Sequence, residues 1–335
     1  LKEIVFPLTV CQGFCGVGKA SFLVKGAPFF YGEMFSSTTD PLWSTFSKKI
    51  HFQPAHIFPS DQFPFYEKPL VPLFFKDSTI DLNQSIQAFH QIEDLQKVVL
   101  AAKRTYSFDK PIDLLAILSL VIRSFPKERV FAYMPNSQSL FFGVTPENLF
   151  HRSKKNLIVD CIAGTVLKEK ERFLLTPKLM KEHQFVVDFV EKKLSCLITS
   201  KNTSPLGIKD AAHLSHLYQT ISGTLLPDVT DQVLIRALHP TPATLGFPSC
   251  LAQAFLKKHE PFERGYYCGI MGWMTEEETT VKVCLRSALA YKNTLTLFAG
   301  AGITSQSLAE EETSEIHSKF NTLEEVLFER TMSHK

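Results

Sequence analysis

The 335-residue chain has no apolar run approaching the roughly 20 residues that a bilayer-spanning helix needs, so no transmembrane helix is expected. It has no excess of either charge, with 36 Lys and Arg against 34 Asp and Glu. A net charge of +2 gives no general electrostatic footprint for nucleic acid or an anionic membrane. Cysteine is sparse, and its seven copies are odd in number and scattered. That pattern argues against a disulfide framework and points to a reducing, cytoplasmic setting. A zinc-type cluster is also missing, because Cys11-x-x-x-Cys15 lacks a second pair. Residues 1–10 carry Lys2 before apolar positions, as a signal peptide would. Glu3, Pro7 and the lack of a small-residue cleavage site argue against one. No repeat, low-complexity segment or disordered linker divides the chain, so one domain over residues 1–335 is expected.

What is present suits a globular protein: 44% hydrophobic and 21% charged residues, with 29 Phe as packing material. Residues 1–80 mix short apolar runs with Pro and Gly, as in Phe58-Pro59-Ser60-Asp61, and read as short strands and turns. Beyond them, helices are expected over 84–95, 112–124, 177–197 and 209–219. Strands are expected over 98–106, 129–133, 139–144 and 157–162. Thr176 is a candidate N-cap, with Pro177 at the first helical position. Residues 280–291 and 295–299 read as two strands joined by a turn near Lys292-Asn293. Ser307-Leu308-Ala309-Glu310 has capping-box spacing and predicts a last helix over 307–329. Paired strands with intervening helices predict an α+β fold rather than βαβ alternation.

Two of these helices carry acids where apolar residues belong. At about 100° per residue, Leu323, Ile316, Leu327 and Val326 fall within about 60° of Glu312, and Glu315 and Lys319 border the same stripe. Glu182 likewise lies near the Val186, Val190 and Leu179 face of its helix. Burying unpaired carboxylates costs several kcal/mol each, and a bound cation or a polar cleft would remove that cost. The alternative is an ion pair of Glu315 with Lys319, four residues on. Oxygen ligands from two such helices would suit Mg²⁺.

A second pattern fits less well. Gly13-Phe14-Cys15-Gly16-Val17-Gly18-Lys19-Ala20 nearly matches a phosphate-binding loop. However, Ala20 stands where a hydroxyl should contact Mg²⁺, and Gly26 and Pro28 interrupt the helix that should follow. A glycine-rich turn between strands is the competing reading. Nucleotide binding that depends on Lys19 would instead mark a P-loop ATPase.

In the C-terminal half the chain resembles the chorismate-utilising enzymes. Leu238-His239-Pro240-Thr241-Pro242-Ala243 is similar to their HPTPA motif, and Pro261-Phe262-Glu263-Arg264-Gly265-Tyr266-Tyr267-Cys268-Gly269 to their PFDRGWYAG segment. Phe298-Ala299-Gly300-Ala301-Gly302-Ile303 resembles their AGAGI strand end, and Glu312-x-x-Glu315-x-x-x-Lys319-Phe320 their terminal ExxExxxKF pattern. The matches keep order and spacing. They imply an aminodeoxychorismate synthase-like α+β fold, with largely antiparallel sheets and flanking helices around a central cleft. Residues 81–330 would be the chorismate-binding catalytic region, and 1–80 a variable part.

Single positions point to the isochorismate synthases, with a weak overall likeness to the menaquinone type. Gln96-Lys97-Val98-Val99-Leu100-Ala101 resembles their KVVLAR segment, whose lysine acts as base towards water where anthranilate synthases generally carry Gln. Gly143-Val144-Thr145-Pro146-Glu147-Asn148-Leu149 resembles GxSPExL, whose Glu acts as acid. Ala163-Gly164-Thr165 resembles an AGT segment, and aminodeoxychorismate synthases carry Lys where Ala163 stands. Exchanging a C4 hydroxyl for a C2 hydroxyl needs such a pair. Lys97 would have to be neutral, well below the ordinary lysine value of about 10.4. Glu147 would have to be protonated.

By the same resemblance, Tyr267 and Arg286 would hold a chorismate carboxylate. Gly164, Thr165, His216, Gly302 and Lys319 would line the pocket. Glu182 and Glu315 would bind Mg²⁺, with Glu312 acting through water. The small-molecule partner is chorismate; no nucleic-acid or membrane partner is expected, and a monomer is compatible. Two positions depart from the family: Leu179, where an acid or amide is frequent, and Ala102, in place of the Arg that ends KVVLAR. Salicylate synthase, which eliminates pyruvate from isochorismate, shares the named residues and is the rival reading. A non-catalytic chorismate-binding relative is the third.

Overall fold

The computed structural model describes residues 74–328 except 79, 80 and 127, together with Leu70, Pro72 and the backbone of five short strands before them. The rest of the glycine-rich stretch at 13–20 lies outside the described residues, but Phe14–Val17 is a strand. The Pro-rich run at 58–64 lies outside them too.

Two antiparallel sheets form the frame. The first contains β1 (Leu8–Cys11), β2 (Phe14–Val17), β5 (Lys48–His51), β6 (Phe74–Ser78), β7 (Lys97–Ser107), β8 (Arg129–Asn136), β9 (Ser139–Thr145), β15 (Gly246–Phe247), β18 (Ser287–Tyr291) and β19 (Thr294–Ile303). Its order is β15-β7-β19-β18-β9-β8-β1-β2-β5, with β6 also on β7. The second contains β3 (Phe29–Glu33), β4 (Leu42–Thr45), β10 (Asn148–Ser153), β11 (Asn156–Leu167), β12 (Ile198–Thr203), β13 (Gly207–Ala211), β14 (Leu214–Leu225), β16 (Ile270–Met274) and β17 (Glu278–Val283). Its order is β12-β14-β11-β10-β17-β16-β3-β4, with β13 also on β14.

Each sheet buries one face under helices. In β7, Val98, Leu100 and Ala102 pack into one core with α1 (Leu82–His90), α2 (Leu114–Ser124), α5 (Ser249–His259) and α6 (Ala309–Leu327). In β11, Leu157, Val159 and Cys161 pack into a second core with α3 (Pro177–Leu194) and α4 (Asp231–Leu238). Full burial of the Val and Leu side chains among them contributes about 1.5–3 kcal/mol each. The alternating residues face the other way. Lys97 and Val99 of β7 and Gly300 and Gly302 of β19 thus line a cavity instead of the helix-covered core.

Four sequence expectations need correction. The helix expected over 209–219 is a hairpin of β13 and β14, turned at Ala212 with φ 51°. Pairing of β14 with β11, β12 and β13 overrides the helical preference of Ala211, Ala212, Leu214 and Leu217. The strand expected over 280–291 is two strands in different sheets, broken at Arg286 with φ 44°. Ser307 does not cap the last helix. Its hydroxyl accepts from Thr304 N at 3.0 Å and donates to Gly302 O at 3.4 Å, tying the helix entry to the end of β19. The helix over 84–95 runs only from Leu82 to His90, capped by Asp81. Pro177 does open α3.

In β11 the ladder shifts register between Ala163 and Thr165, and the intervening Gly164 has φ 73°. A Cβ there would lie 3.2 Å from both Leu179 Cβ and Leu217 Cδ1. Gly164→Ala is expected to lower unfolding free energy by about 1–2 kcal/mol, through backbone strain and crowding. Urea denaturation of both proteins measures this; an unchanged midpoint would contradict it.

Candidate active site

The cavity lies between the two sheets. Lys97, Glu147, Gly164, Thr165, Glu182, His216, Tyr267, Arg286, Gly302, Glu315 and Lys319, all expected from the sequence, line it together. Glu312 does not; it is buried nearby on α6.

Two of these side chains sit where the chain changes sheets. Glu147 lies between β9 of the first sheet and β10 of the second, and Arg286 between β17 of the second and β18 of the first. The crossings are hydrogen-bonded to each other: Val144 N donates to Arg286 O at 3.1 Å, and Val283 N to Glu147 O at 3.3 Å.

Arg286 is 5% exposed. It donates to Ala211 O at 3.2 Å and to His216 Nε2 at 2.5 Å, and it pairs with no carboxylate among the described residues. A buried cation without a counter-charge is a strong attractor for a carboxylate. Guanidinium nitrogens only donate, so His216 Nε2 must accept and Nδ1 must carry the proton. Nδ1 then donates to Thr165 Oγ1 at 3.0 Å, which leaves the Thr165 hydroxyl proton free for a ligand. Burial, and then the charges of Arg286 and Lys319, hold His216 well below its usual value, so the ring is neutral. Tyr267 stacks on Phe298 with ring centres 5.5 Å apart. Its hydroxyl reaches Gly300, where a Cβ would sit 2.9 Å away.

The acids face one another near lysines. Lys97 Nζ is 3.7 Å from Glu182, and both are buried. Gly302 permits this approach, because a Cβ there would lie 2.9 Å from Lys97 Cε and 3.3 Å from Glu182 Oε2. Lys319 Nζ donates to Glu315 at 2.6 Å and to Gly300 O at 2.6 Å. The ion pair that helical spacing allowed is therefore made, and it is made on the cavity wall. Behind it, Lys178 Nζ donates to Glu312 at 2.6 Å. Burial, with the charge of Glu315 added, pushes Glu312 up to about 7. Burial also raises Glu182, again with Glu315 adding to the shift. Such mutual opposition is what a divalent cation relieves. Among the described residues no three His, Cys, Asp or Glu side chains are grouped tightly enough to hold a metal alone. Only a site completed by ligand or water oxygens fits these carboxylates.

Glu147 is 1% exposed, and its Oε1 makes no hydrogen bond with the described residues. Burial and then the negative charge of Asp160 push it up to about 8, against Lys209, Lys97 and Arg129. Sequence reading missed Lys178 and Asp160. Lys178 precedes Glu182 by four residues, a spacing that places both on one helical face. Asp160 interrupts the apolar run 157–163, the one local sign of a special role.

The family described as chorismate binding enzyme matches residues 75–328. The isochorismate synthase MenF of Haemophilus influenzae is 32% identical over 235 residues, 68% of this chain and 55% of that protein. Its Escherichia coli counterpart is 30% identical over 235 residues, 68% of this chain and 54% of that protein. The chain thus spans about half the length of the curated relatives it matches. The solved structure of MenF, the menaquinone-specific isochorismate synthase from Escherichia coli, superposes with a TM-score of 0.81 at 23% identity, covering 97% of this chain and 89% of that one. It has the same antiparallel α+β architecture. With three quarters of its length matched by the family, the chain belongs to the chorismate-binding enzymes.

Proposed function

We propose that the chain is an isochorismate synthase, converting chorismate to isochorismate by adding water at C2 as the C4 hydroxyl leaves. One observation carries the reading: a buried lysine, a buried carboxyl without a hydrogen-bond partner among the described residues and an arginine without a carboxylate line the same cavity. Lys97 removes a proton from the attacking water. Its oxygen bonds to C2, the C1=C2 electron pair moves to C1–C6, the C5=C6 pair moves to C4–C5, and the C4–O bond breaks with its electron pair on the oxygen. Glu147 gives its proton to the departing hydroxyl, which leaves as water, so one water enters and one departs. Lys97 and Glu147 then return to their starting states by proton exchange. Arg286 and Tyr267 hold a carboxylate, and Thr165 donates its free hydroxyl proton.

Glu182 and Glu315 are the residues that would hold Mg²⁺, with Glu312 acting through water. The ion would supply charge neutralisation of the ring carboxylate. Engaging Glu182 in this way would release Lys97 from its ion-pair partner. Ala163 offers no amine, which disfavours the lysine-mediated route of aminodeoxychorismate synthases. The names of the relatives support a place in menaquinone formation. We read residues 81–330 as the catalytic region of one domain in a cytoplasmic protein. No helix among the described residues is long and apolar enough to cross a membrane.

Chorismate and Mg²⁺ should give isochorismate with little pyruvate, and ammonium should not divert the reaction. Chromatography decides: anthranilate or aminodeoxychorismate would overturn the assignment, and stoichiometric salicylate with pyruvate would make the chain a salicylate synthase.

Lys97→Ala and Glu147→Gln should each slow turnover by at least about 100-fold with a smaller effect on KM. Glu147 is raised, so it holds its proton below about 8 and loses it above. Wild-type kcat/KM should therefore fall as pH rises through that value, and near-normal turnover of Lys97→Ala would refute the base.

Glu182→Gln and Glu315→Gln should each remain folded yet lose Mg²⁺-dependent turnover. Calorimetry should show weakened Mg²⁺ binding, whereas unchanged affinity and activity in both would remove the metal assignment.

A further inference from the structure

Behind Glu147 lies a charged cluster that takes no direct part in the proposed reaction. Asp160 of β11 is 5% exposed. Its Oδ2 accepts from Asn148 N at 3.0 Å, Arg129 Nη1 at 2.7 Å and Lys209 Nζ at 3.3 Å, and its Oδ1 accepts from the Tyr218 hydroxyl at 3.1 Å. Arg129 Nη1 also donates to Pro146 O at 3.0 Å. The residues immediately before and after Glu147 are thus tied to one carboxylate, the first through a guanidinium and the second directly. Arg129 belongs to β8 of the first sheet, and Asp160, Lys209 and Tyr218 to β11, β13 and β14 of the second. The cluster therefore fastens the two sheets together at the crossing that carries the acid.

The charged and titratable groups that act on Glu147 are Asp160 and Cys161 from β11, Lys209 from β13, Arg129 from β8 and Lys97 from β7. Arg129, Lys209 and, while it carries its proton, Lys97 are cations, and each favours an ionised Glu147. A carboxylate that has lost its proton cannot serve as a general acid. Asp160 is the acid among these groups, and it bonds two of the three cations directly.

We propose that Asp160 is the positioning residue of the acid: it holds the Pro146-Glu147-Asn148 turn in place and masks Arg129 and Lys209, so that Glu147 meets the substrate as a proton donor. This rests on the reading of Glu147 as general acid. A cluster that only stabilised the fold would alter turnover equally at every pH. One that protects a proton acts on the alkaline side.

The test is Asp160→Asn in the full chain, which keeps the side-chain shape and an acceptor for Asn148 N while removing the charge. The alkaline limb of its kcat/KM profile should move down by about one pH unit or more, with activity recovering towards wild type at the acid end. Lys209→Met removes a cation and should move the limb up. Infrared spectra of the substrate-free proteins provide a readout independent of turnover. The protonated carboxyl band of Glu147, assigned by its loss in Glu147→Gln, should vanish at lower pH in Asp160→Asn than in wild type. A wild-type chain that leaves chorismate unchanged would count against the proposed function, while the infrared titration would still decide the role of Asp160. If Asp160→Asn does not fold, Lys209→Met decides alone. Equal slowing of Asp160→Asn at all pH values, an unshifted Glu147 band, or a Lys209→Met limb or band that stays or moves down would overturn the proposal.

Discussion

Where β9 gives way to β10 and β17 to β18, neither strand can continue its ladder in the same sheet, yet the buried backbone groups there still need partners. The two crossings satisfy each other through Val144 N to Arg286 O and Val283 N to Glu147 O. A third segment joins them, with Cys268 N donating to Cys284 O and Cys284 N to Gly269 O. This exchange fixes Glu147, Arg286 and the neighbouring Tyr267 relative to each other using backbone alone. Their side chains are then committed to the space between the sheets, because the outer faces are filled by apolar residues under the helices. The cavity is polar for a topological reason: it is where strands change partners.

Charge is arranged around that line in a consistent way. Lys97 stands by Glu182, Lys319 by Glu315 and Lys178 by Glu312, so most of the buried charge has an opposite close by. Buried pairs of this kind tolerate the loss of one member poorly. They remain responsive to a ligand, because a cation or carboxylate can exchange for the protein partner at little net change in charge. Among the described residues that line the cavity, Arg286 and Glu147 stand apart from these pairs. One is a cation without a carboxylate, the other a carboxyl pushed towards its neutral form by burial and Asp160. The groups left without ion-pair partners are those with most to gain from a substrate that carries a carboxylate and a leaving hydroxyl.

Much of this site was legible in the sequence, and the reason differs from residue to residue. Glu182, Glu312 and Glu315 could be found because helical periodicity converts one dimension into faces, and an acid on an apolar face stands out. Lys97, Glu147 and Arg286 were reachable only through family resemblance. Nothing in local periodicity distinguishes a strand-start lysine on the cavity side from a solvated one. The crossings were not legible at all. A strand that changes sheets keeps its β pattern, so 280–291 reads as continuous although Arg286 breaks it. The 209–219 segment failed for a related reason. Its helical propensity is weak compared with the β13–β14 hairpin and the pairing of residues 214–219 on β11, and a pairing partner distant in sequence leaves no local trace. Asp160 was visible only as an acid in an apolar run, and its bonds to Arg129 and Lys209 depend on strands brought together from both sheets.

The two departures from the family pattern lie at different depths relative to the chemistry. Ala102 points into the helix-covered core of the first sheet, away from the cavity. A space of about 310 Å³ borders it, lined also by Leu82, Asn83, Thr313 and Ile316. A long basic side chain at 102 would extend towards α6 and bear on the cavity wall only through that helix. Two residues on, Arg104 is buried between Asp77 at 2.5 Å and Glu324 at 2.8 Å. The same face of β7 thus retains a basic link to α6. Leu179 is closer to the cavity wall. It packs with Leu174 and Leu217 and abuts Gly164, one turn of α3 before Glu182. An acid or amide there could have bonded the neighbourhood of Glu182; a leucine instead closes that flank with apolar contact. The orientation of Glu182 then depends on Lys97, on its own helix and on whatever occupies the cavity. A ligand that draws Lys97 away would therefore leave Glu182 without its one ion-pair partner among the described residues.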